Sequence, residues 1–421
     1  MNKIERLALY AFYPIMFLIY FLIMFKININ AIIGLPLLFL LAYFAIKHVA
    51  NDRGKINTLV TAFLIYNLLS VVLYTFNGRP IDCYTTYIRQ FAFPILFYYF
   101  GKTKNIDYYD YYKIFGLSCL VCLGVGLFLY ITTPDFYISY LNDARHAKWY
   151  DDSEFVNESN LMAYTRFSAF WATPYAVSYL GIPSLCIGFL MSARSSSKPA
   201  IWSALVIISI ISCILCFQRV AMACVLIYLL YIVFSGVIPS TKTIKVSLCV
   251  LVIAFLFTPY LLESFDSRFQ IIKELLLGRL EVFSFSQAMS EGRSNQYDLV
   301  LRSWENPILG MGLGAASGTA LSHGFPGVTD GEYVRILVES GVLGFCLFLL
   351  IVFKTILRGI KNRTNLWSEL LVVLYFLVAS IGSNALSIMH LFAPIFWFCI
   401  GRIWNEEYLA DIKQNYKLYK I

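Results

Sequence analysis

Runs of roughly 20 consecutive apolar residues recur from one end of this chain to the other, the length a helix needs to cross a hydrocarbon core of about 30 Å. The spans read at 7–25, 31–46, 58–76, 88–100, 114–132, 175–192, 200–217, 220–238, 246–262, 334–357, 366–383 and 390–404. The fourth and twelfth are short. Composition agrees, with 59% apolar and only 14% charged residues, against roughly 25% charged in a soluble domain. The first run is longer than a signal-peptide core and has no small-residue cleavage site, so it reads as a retained span. The expected fold class is an all-α polytopic membrane protein of about 12 transmembrane helices.

The net charge of +8 is a topology signal. With the N-terminus inside, about 20 of the 33 Lys and Arg fall in or beside cytoplasmic segments, including the basic tail after Arg402, as the positive-inside rule requires. Both termini are then cytoplasmic, and nucleic-acid binding has no support. The pairs Cys119-x-x-Cys122 and Cys213-x-x-Cys216 lie in apolar helices without His or acidic neighbours and read as small packing residues.

The inside connections are short. Two outside segments are long, Thr133–Pro174 and Glu263–Tyr333, and loops of that length in a compact protein are usually functional or disordered. The second is too rich in Phe, Leu and Trp to be disordered. The chain therefore divides into 1–262 (nine spans and the first loop), 263–333 (the large loop) and 334–421 (three spans and the tail). Water-exposed chemistry belongs on the outer face, and Gly292–Gly344 is the stretch to watch.

Within that loop, Phe269, Ile272 and Leu276 predict a surface helix over Ser267–Leu277. Tyr297, Val300, Leu301 and Trp304 predict another over Ser294–Glu305, stopping at Asn306 before Pro307. The run Gly310-x-Gly312-x-Gly314 follows. A dinucleotide fingerprint needs a strand before it and a βαβ unit around it, and neither is present. Two readings stand: a tight turn whose N–H groups approach an anion, or a plain flexible loop.

Charges close to hydrocarbon are costly unless they meet an anion or a wet cavity. Arg219 lies between spans seven and eight with almost no loop around it; it either binds an anion or snorkels to the headgroups. Arg166 sits at a similar depth, with interfacial anchoring beside Trp171 as the plainer role. Arg293 stands near a helix N-terminus, where a cation opposes the macrodipole. Arg89 precedes the short fourth span and is a weaker candidate, as is Arg302. Guanidinium groups bind phosphate oxygens in a bidentate fork, so arginines facing one cavity would suit a pyrophosphate. Asp151-Asp152 is the nearest thing to a Mg2+-binding acidic pair and reads as solvated surface. No metal and no cofactor is expected.

These residues resemble the O-antigen polymerase and O-antigen ligase superfamily of bacterial inner-membrane proteins over most of the chain. The family-like features are Gln218-Arg219 after a short outer turn, Gly292-Arg293 opening the loop helix, and Asn306-Pro307-x-x-Gly310-x-Gly312-x-Gly314. Arg166-x-x-x-Phe170-x-x-x-Pro174 before the sixth span is a fourth. The ligase motif of His, an amide or hydroxyl residue, nine residues and GxxG survives only in spacing. Here it reads Asp330-Gly331, nine residues, Gly341-Val342-Leu343-Gly344. Loss of the His counts against a ligase and fits a polymerase.

The resemblance implies a GT-C-like fold with a large helical periplasmic loop in the inner (plasma) membrane, and an active site facing the periplasm. It implies metal-independent glycosyl transfer between undecaprenyl-pyrophosphate-linked oligosaccharides acting as donor and acceptor. Membrane lipids surround the enzyme, with a chain-length regulator and a flippase as the partners such an enzyme would take. Arg219 and Arg293 would neutralise the leaving pyrophosphate, helped by Arg166. Asp330 is the first candidate base, Glu332 the second and His323 the third; Tyr333 joins Arg89 and Arg302 as a substrate-binding candidate.

The plainer reading of Asp330 is a helix N-cap, and that of His323 a solvated loop residue. His48 and His390 read as structural. Glu339 is expected to pair with Arg335 four residues earlier. The alternatives are an O-antigen ligase with a lipid A–core acceptor, and a polysaccharide or lipid transporter. Transporters tend to show internal repeats, and the two halves of this chain show none.

Overall fold

A chain in lipid has no water to satisfy stray backbone N–H and C=O groups, so spanning segments close their hydrogen bonds internally, as helices or closed barrels. This chain does so with helices. The computed structural model describes residues 3–51, 55–71, 78, 80–103, 107–133, 136, 140, 167–171, 175–194, 199–216, 218–235, 291–328, 330–387 and 390–405. Among them there is no strand. The surface helix expected over 267–277 and the span expected over 246–262 lie outside the described residues.

The helices are α1 (Lys3–Met24), α2 (Leu35–Asn51), α3 (Lys55–Leu69), α4 (Ile81–Tyr87), α5 (Phe93–Ile95), α6 (Phe97–Lys102), α7 (Tyr108–Thr132) and α8 (Tyr175–Arg194). They continue with α9 (Pro199–Leu215), α10 (Arg219–Ser235), α11 (Glu291–Arg302), α12 (Gly318–Ser322), α13 (Glu332–Lys361), α14 (Arg363–Gly382) and α15 (Ala393–Ile403). Six helical stretches among the described residues are long and apolar enough to cross a membrane: α1, 32–49, α7, 175–192, α13 and α14. α3, α9, α10 and α15 are shorter and apolar. The chain is a helical, multi-pass membrane protein.

The short fourth span is not one helix. A π-helical turn at Ile88–Ala92 joins α4 to α5, and Leu96 separates α5 from α6. Pro94 sits in the middle with no N–H to give the preceding turn, and the π turn falls on the residues just before it.

The described chain forms two compact units. One comprises 1–12, 31–111 and 290–421; the other comprises 13–30 and 112–289. In the first, α6 packs on α15 at glycine-to-backbone distance: a Cβ on Gly101 would meet the Phe398 carbonyl oxygen at 2.2 Å, and one on Gly401 the Tyr98 oxygen at 2.1 Å. Lipid gives helices no hydrophobic drive toward each other, so small residues that let backbones approach supply the contact. In the second unit, α8 and α9 use the same device, with Gly181 against Cys213 and Gly188 against Val206. There Cys119, Cys122, Cys213 and Cys216 are buried, and no disulfide joins the described cysteines, so both Cys-x-x-Cys pairs serve packing.

Candidate functional site

The loop helix α11 begins at Glu291 and ends at Arg302, three residues earlier than the apolar stripe suggested, with Trp304 already in a turn bonded to Leu301. Of that stripe, Val300 is buried and Tyr297 and Trp304 are half-buried, whereas Leu301 is exposed. Val300 joins Cys83, Met311, Ala315, Ala316, Ala320, Val328 and Val338 in a small apolar cluster, with Tyr84 and Phe325 packed on its edge.

Asn306–Gly314 is neither an anion cradle nor a free loop, and both expectations for it are corrected. Its N–H groups are used within the protein. Gly310 N donates to Asn306 O at 2.7 Å, Met311 N to Val338 O at 2.9 Å and Gly312 N to Glu339 O at 2.9 Å. Leu313 N donates to the Ser70 hydroxyl at 2.9 Å. In return Val342 N and Leu343 N donate to Pro307 O and Ile308 O.

These bonds are available because α13 is broken at Gly341, where φ 63° and ψ −176° leave the helical region. Glycine tolerates that conformation without a Cβ clash. Both contact partners must be glycine: a Cβ on Gly310 would lie 2.3 Å from Glu339 O, and one on Gly341 would lie 2.2 Å from Ile308 O. Gly344 admits the Tyr66 ring, which a Cβ there would meet at 2.8 Å, and the Tyr66 hydroxyl reaches Leu309 O at 2.7 Å and Ser340 O at 2.8 Å. The GxGxG run and the GxxG pair are thus two halves of one backbone contact. Gly310→Ala is expected to destabilise the protein by more than about 1–3 kcal/mol, since a positive-φ strain adds to a backbone collision. Thermal unfolding in detergent measures this, and an unchanged midpoint would contradict the contact.

Below the break lies a fully buried charge triad. Arg335 donates through Nε and Nη2 to Glu332 Oε1 and through Nη1 to Glu339 Oε2, all three side chains having no exposure. Its guanidinium lies between two rings, 4.9 Å from the Tyr87 centroid and 4.5 Å from that of Phe91, the flat stacking for which arginine is suited. Each carboxylate uses its remaining oxygen on another segment. Glu339 Oε1 accepts from Ala316 N at 3.1 Å. Glu332 Oε2 accepts from Leu386 N at 3.1 Å and from the Ser387 hydroxyl at 3.0 Å. The triad fastens the glycine loop and the 384–387 turn to the head of α13.

The expected Glu339–Arg335 pair is present. Glu332, expected as a second base, is instead buried with both oxygens engaged, because Arg335 and the 386–387 turn need it more than solvent does. Tyr333 is also turned to structure, its hydroxyl donating to Leu377 O at 2.8 Å. The helix N-cap is Gly331 at φ 125°, not Asp330. Asp330 is half-buried one residue earlier, and its carbonyl accepts the Tyr297 hydroxyl at 2.6 Å.

His323 stands at the C-terminal end of α12 with Nε2 at 2.8 Å from Asp82 Oδ2, so it is not merely a solvated loop residue. The hydrogen bond from His323 holds the Asp82 carboxyl below its usual range. Arg302 is exposed at the end of α11. Arg89, in the π turn, is half-buried, and its buried Nε has no hydrogen-bond partner. In the other unit Arg219 is the first residue of α10, also half-buried, with its buried Nε likewise unsatisfied. Arg166 and the side chain of Arg293 lie outside the described residues; the backbone of Arg293 is in the first turn of α11.

Asp82 and Cys83 were missed as candidates, and so was Glu332 as the second partner of Arg335. Glu332 had a signal, since Glu332, Arg335 and Glu339 at i, i+3 and i+7 share a helix face. Asp82 and His323 are 241 positions apart and had none. No protein-family model matches this chain, and no curated protein matches it.

Proposed function

We propose that the protein is a polyprenyl-pyrophosphate-dependent glycosyltransferase that polymerises O-antigen or related surface-polysaccharide repeat units at the periplasmic face of the bacterial inner membrane. Twelve spans with both termini cytoplasmic belong to this proposal. The observation that carries it is Arg219. A cation at the head of a helix opposes the macrodipole, and a guanidinium in a membrane protein with a buried, unsatisfied Nε asks for an anionic ligand.

The growing glycan's anomeric carbon is attacked by a hydroxyl of a fresh repeat unit. The new C–O bond forms as the bond to undecaprenyl pyrophosphate breaks, and the pyrophosphate leaves with the electron pair. Arg219, helped by Arg166, neutralises the charge that develops there. Cations fixed where charge appears are usually the largest catalytic contribution. Asp330 takes the proton of the attacking hydroxyl. Aspartate where ligases carry histidine favours polymerisation over transfer to a lipid A–core acceptor.

The test is to incubate the purified protein with a synthetic polyprenyl-pyrophosphate repeat unit and resolve the products on a gel. A ladder is expected; transfer of single units only, or no transfer, would overturn the polymerase assignment. Asp330→Asn should lower the rate by about 10²–10⁴ while the protein accumulates normally. Full activity in that variant would remove Asp330 as the base.

A further inference from the structure

The pair Asp82-Cys83 at the start of α4 and His323 at the end of α12 bring a carboxylate oxygen, a thiol sulfur and an imidazole nitrogen within 4.8 Å of one another. We propose that Asp82, Cys83 and His323 bind one divalent transition-metal ion, with Zn2+ the best match to the donor set, and that the ion clips the α12 segment to α4. This site does not depend on the glycosyltransferase assignment, and no step of that reaction passes through it.

Thiolate and imidazole together select Zn2+ or Co2+ over Mg2+ and Ca2+, which want oxygen alone. Bonds of about 2.0–2.3 Å at tetrahedral angles place donor atoms about 3.3–3.6 Å apart. The Asp82–His323 pair at 2.8 Å has to open by less than an ångström, and the sulfur, within 4.8 Å of both, has to close by at most about 1.5 Å to reach those spacings. The pair's hydrogen bond already holds two of the three ligands on one point. A carboxylate only accepts, so in that bond Nε2 carries the proton, and metal binding at Nε2 shifts the ring to its Nδ1–H tautomer. The Cys83 thiol gives up one proton to solvent. A carboxylate and a thiolate then offset the charge of a divalent ion, and a water completes four-coordination.

The setting suits a clip. Cys83 is fully buried in the apolar cluster and Gly314 packs against its backbone, which fixes the sulfur. Asp82 and His323 are exposed, so the ion has a path from solvent. α12 is one short turn capped by Ser317, and such a turn gains most from an anchor at its free end.

The experiment uses full-length protein purified in detergent without a histidine tag, stripped with chelator and titrated with Co2+. One equivalent is expected to bind with d–d absorption and a thiolate-to-cobalt charge-transfer band, and Zn2+ should displace it. Cys83→Ser should abolish the charge-transfer band. His323→Ala, at an exposed position that leaves the core intact, should weaken affinity at least about 10–100-fold, the loss typical of removing even an outer-shell partner. Cys346→Ser, the control at an exposed cysteine, should change neither. Affinity should fall as pH drops, because a proton must leave. Absence of saturable Co2+ binding, or binding unchanged in both Cys83→Ser and His323→Ala, would overturn the proposal.

Discussion

Arg335→Ala is expected to lower stability by about 3–5 kcal/mol, the usual cost of leaving buried charges without their partner. Two carboxylates, Glu332 and Glu339, would remain with no exposure and no cation. One consequence is local: the bonds from Ala316 N to Glu339 and from Leu386 N and Ser387 to Glu332 would then compete with protonation of the acids. The glycine loop and the 384–387 turn should loosen together. The measurement is the thermal midpoint by size-exclusion chromatography in detergent, with protease sensitivity of 306–328 as a second readout. Replacing all three residues at once, with Glu332→Gln, Arg335→Met and Glu339→Gln, should cost less than the single change, because a buried triad contributes less net stability than its rupture costs. A midpoint for Arg335→Ala within a degree or two of the parent would refute the triad as the hub.

Arg219→Ala is expected to cut polymer formation by about 10²–10³ in rate while the protein still inserts and accumulates. Arg219→Lys separates two roles. A headgroup anchor needs only charge and would tolerate lysine. A bidentate phosphate ligand needs the guanidinium fork, and lysine should recover little. Gel ladders from a synthetic lipid-linked repeat unit, scored at equal protein amounts, give the result. Full-length chains from Arg219→Ala would end the role assigned to this residue.

The apolar helices were legible because hydropathy is a local quantity, and six of those among the described residues are long enough to cross a membrane. Ten of the expected twelve overlap apolar helices, the twelfth at Ala393–Ile403, and the fourth meets a broken series at 81–102; the ninth lies outside the described residues. The last helix was expected three residues earlier, at His390. The fracture at Ile88–Ala92 and Pro94 was visible only as shortness. In the loop, periodicity found α11 but extended it past Arg302, since Trp304 continues the apolar spacing without continuing the helix.

The site was less legible. Glu339 with Arg335 followed from spacing, whereas Glu332 and Tyr333 look like exposed polar residues at a helix start and are taken up by Leu386, Ser387 and Leu377 from later in the chain. Asp330 fits the composition of an N-cap, yet the cap falls on Gly331, a position held to glycine because the Tyr297 hydroxyl would lie 2.4 Å from any Cβ there.

By itself the sequence determined that this chain crosses a membrane as helices, for apolar length and the lack of water in lipid leave few other solutions. It also determined which segments are polar enough to carry chemistry. Only the tertiary structure decided what the glycines and acids of those segments are for. Gly310 and Gly341 are glycines because their backbones touch, and Asp82 meets His323 because α12 folds onto α4. Contacts between residues far apart in the chain leave no period or spacing behind.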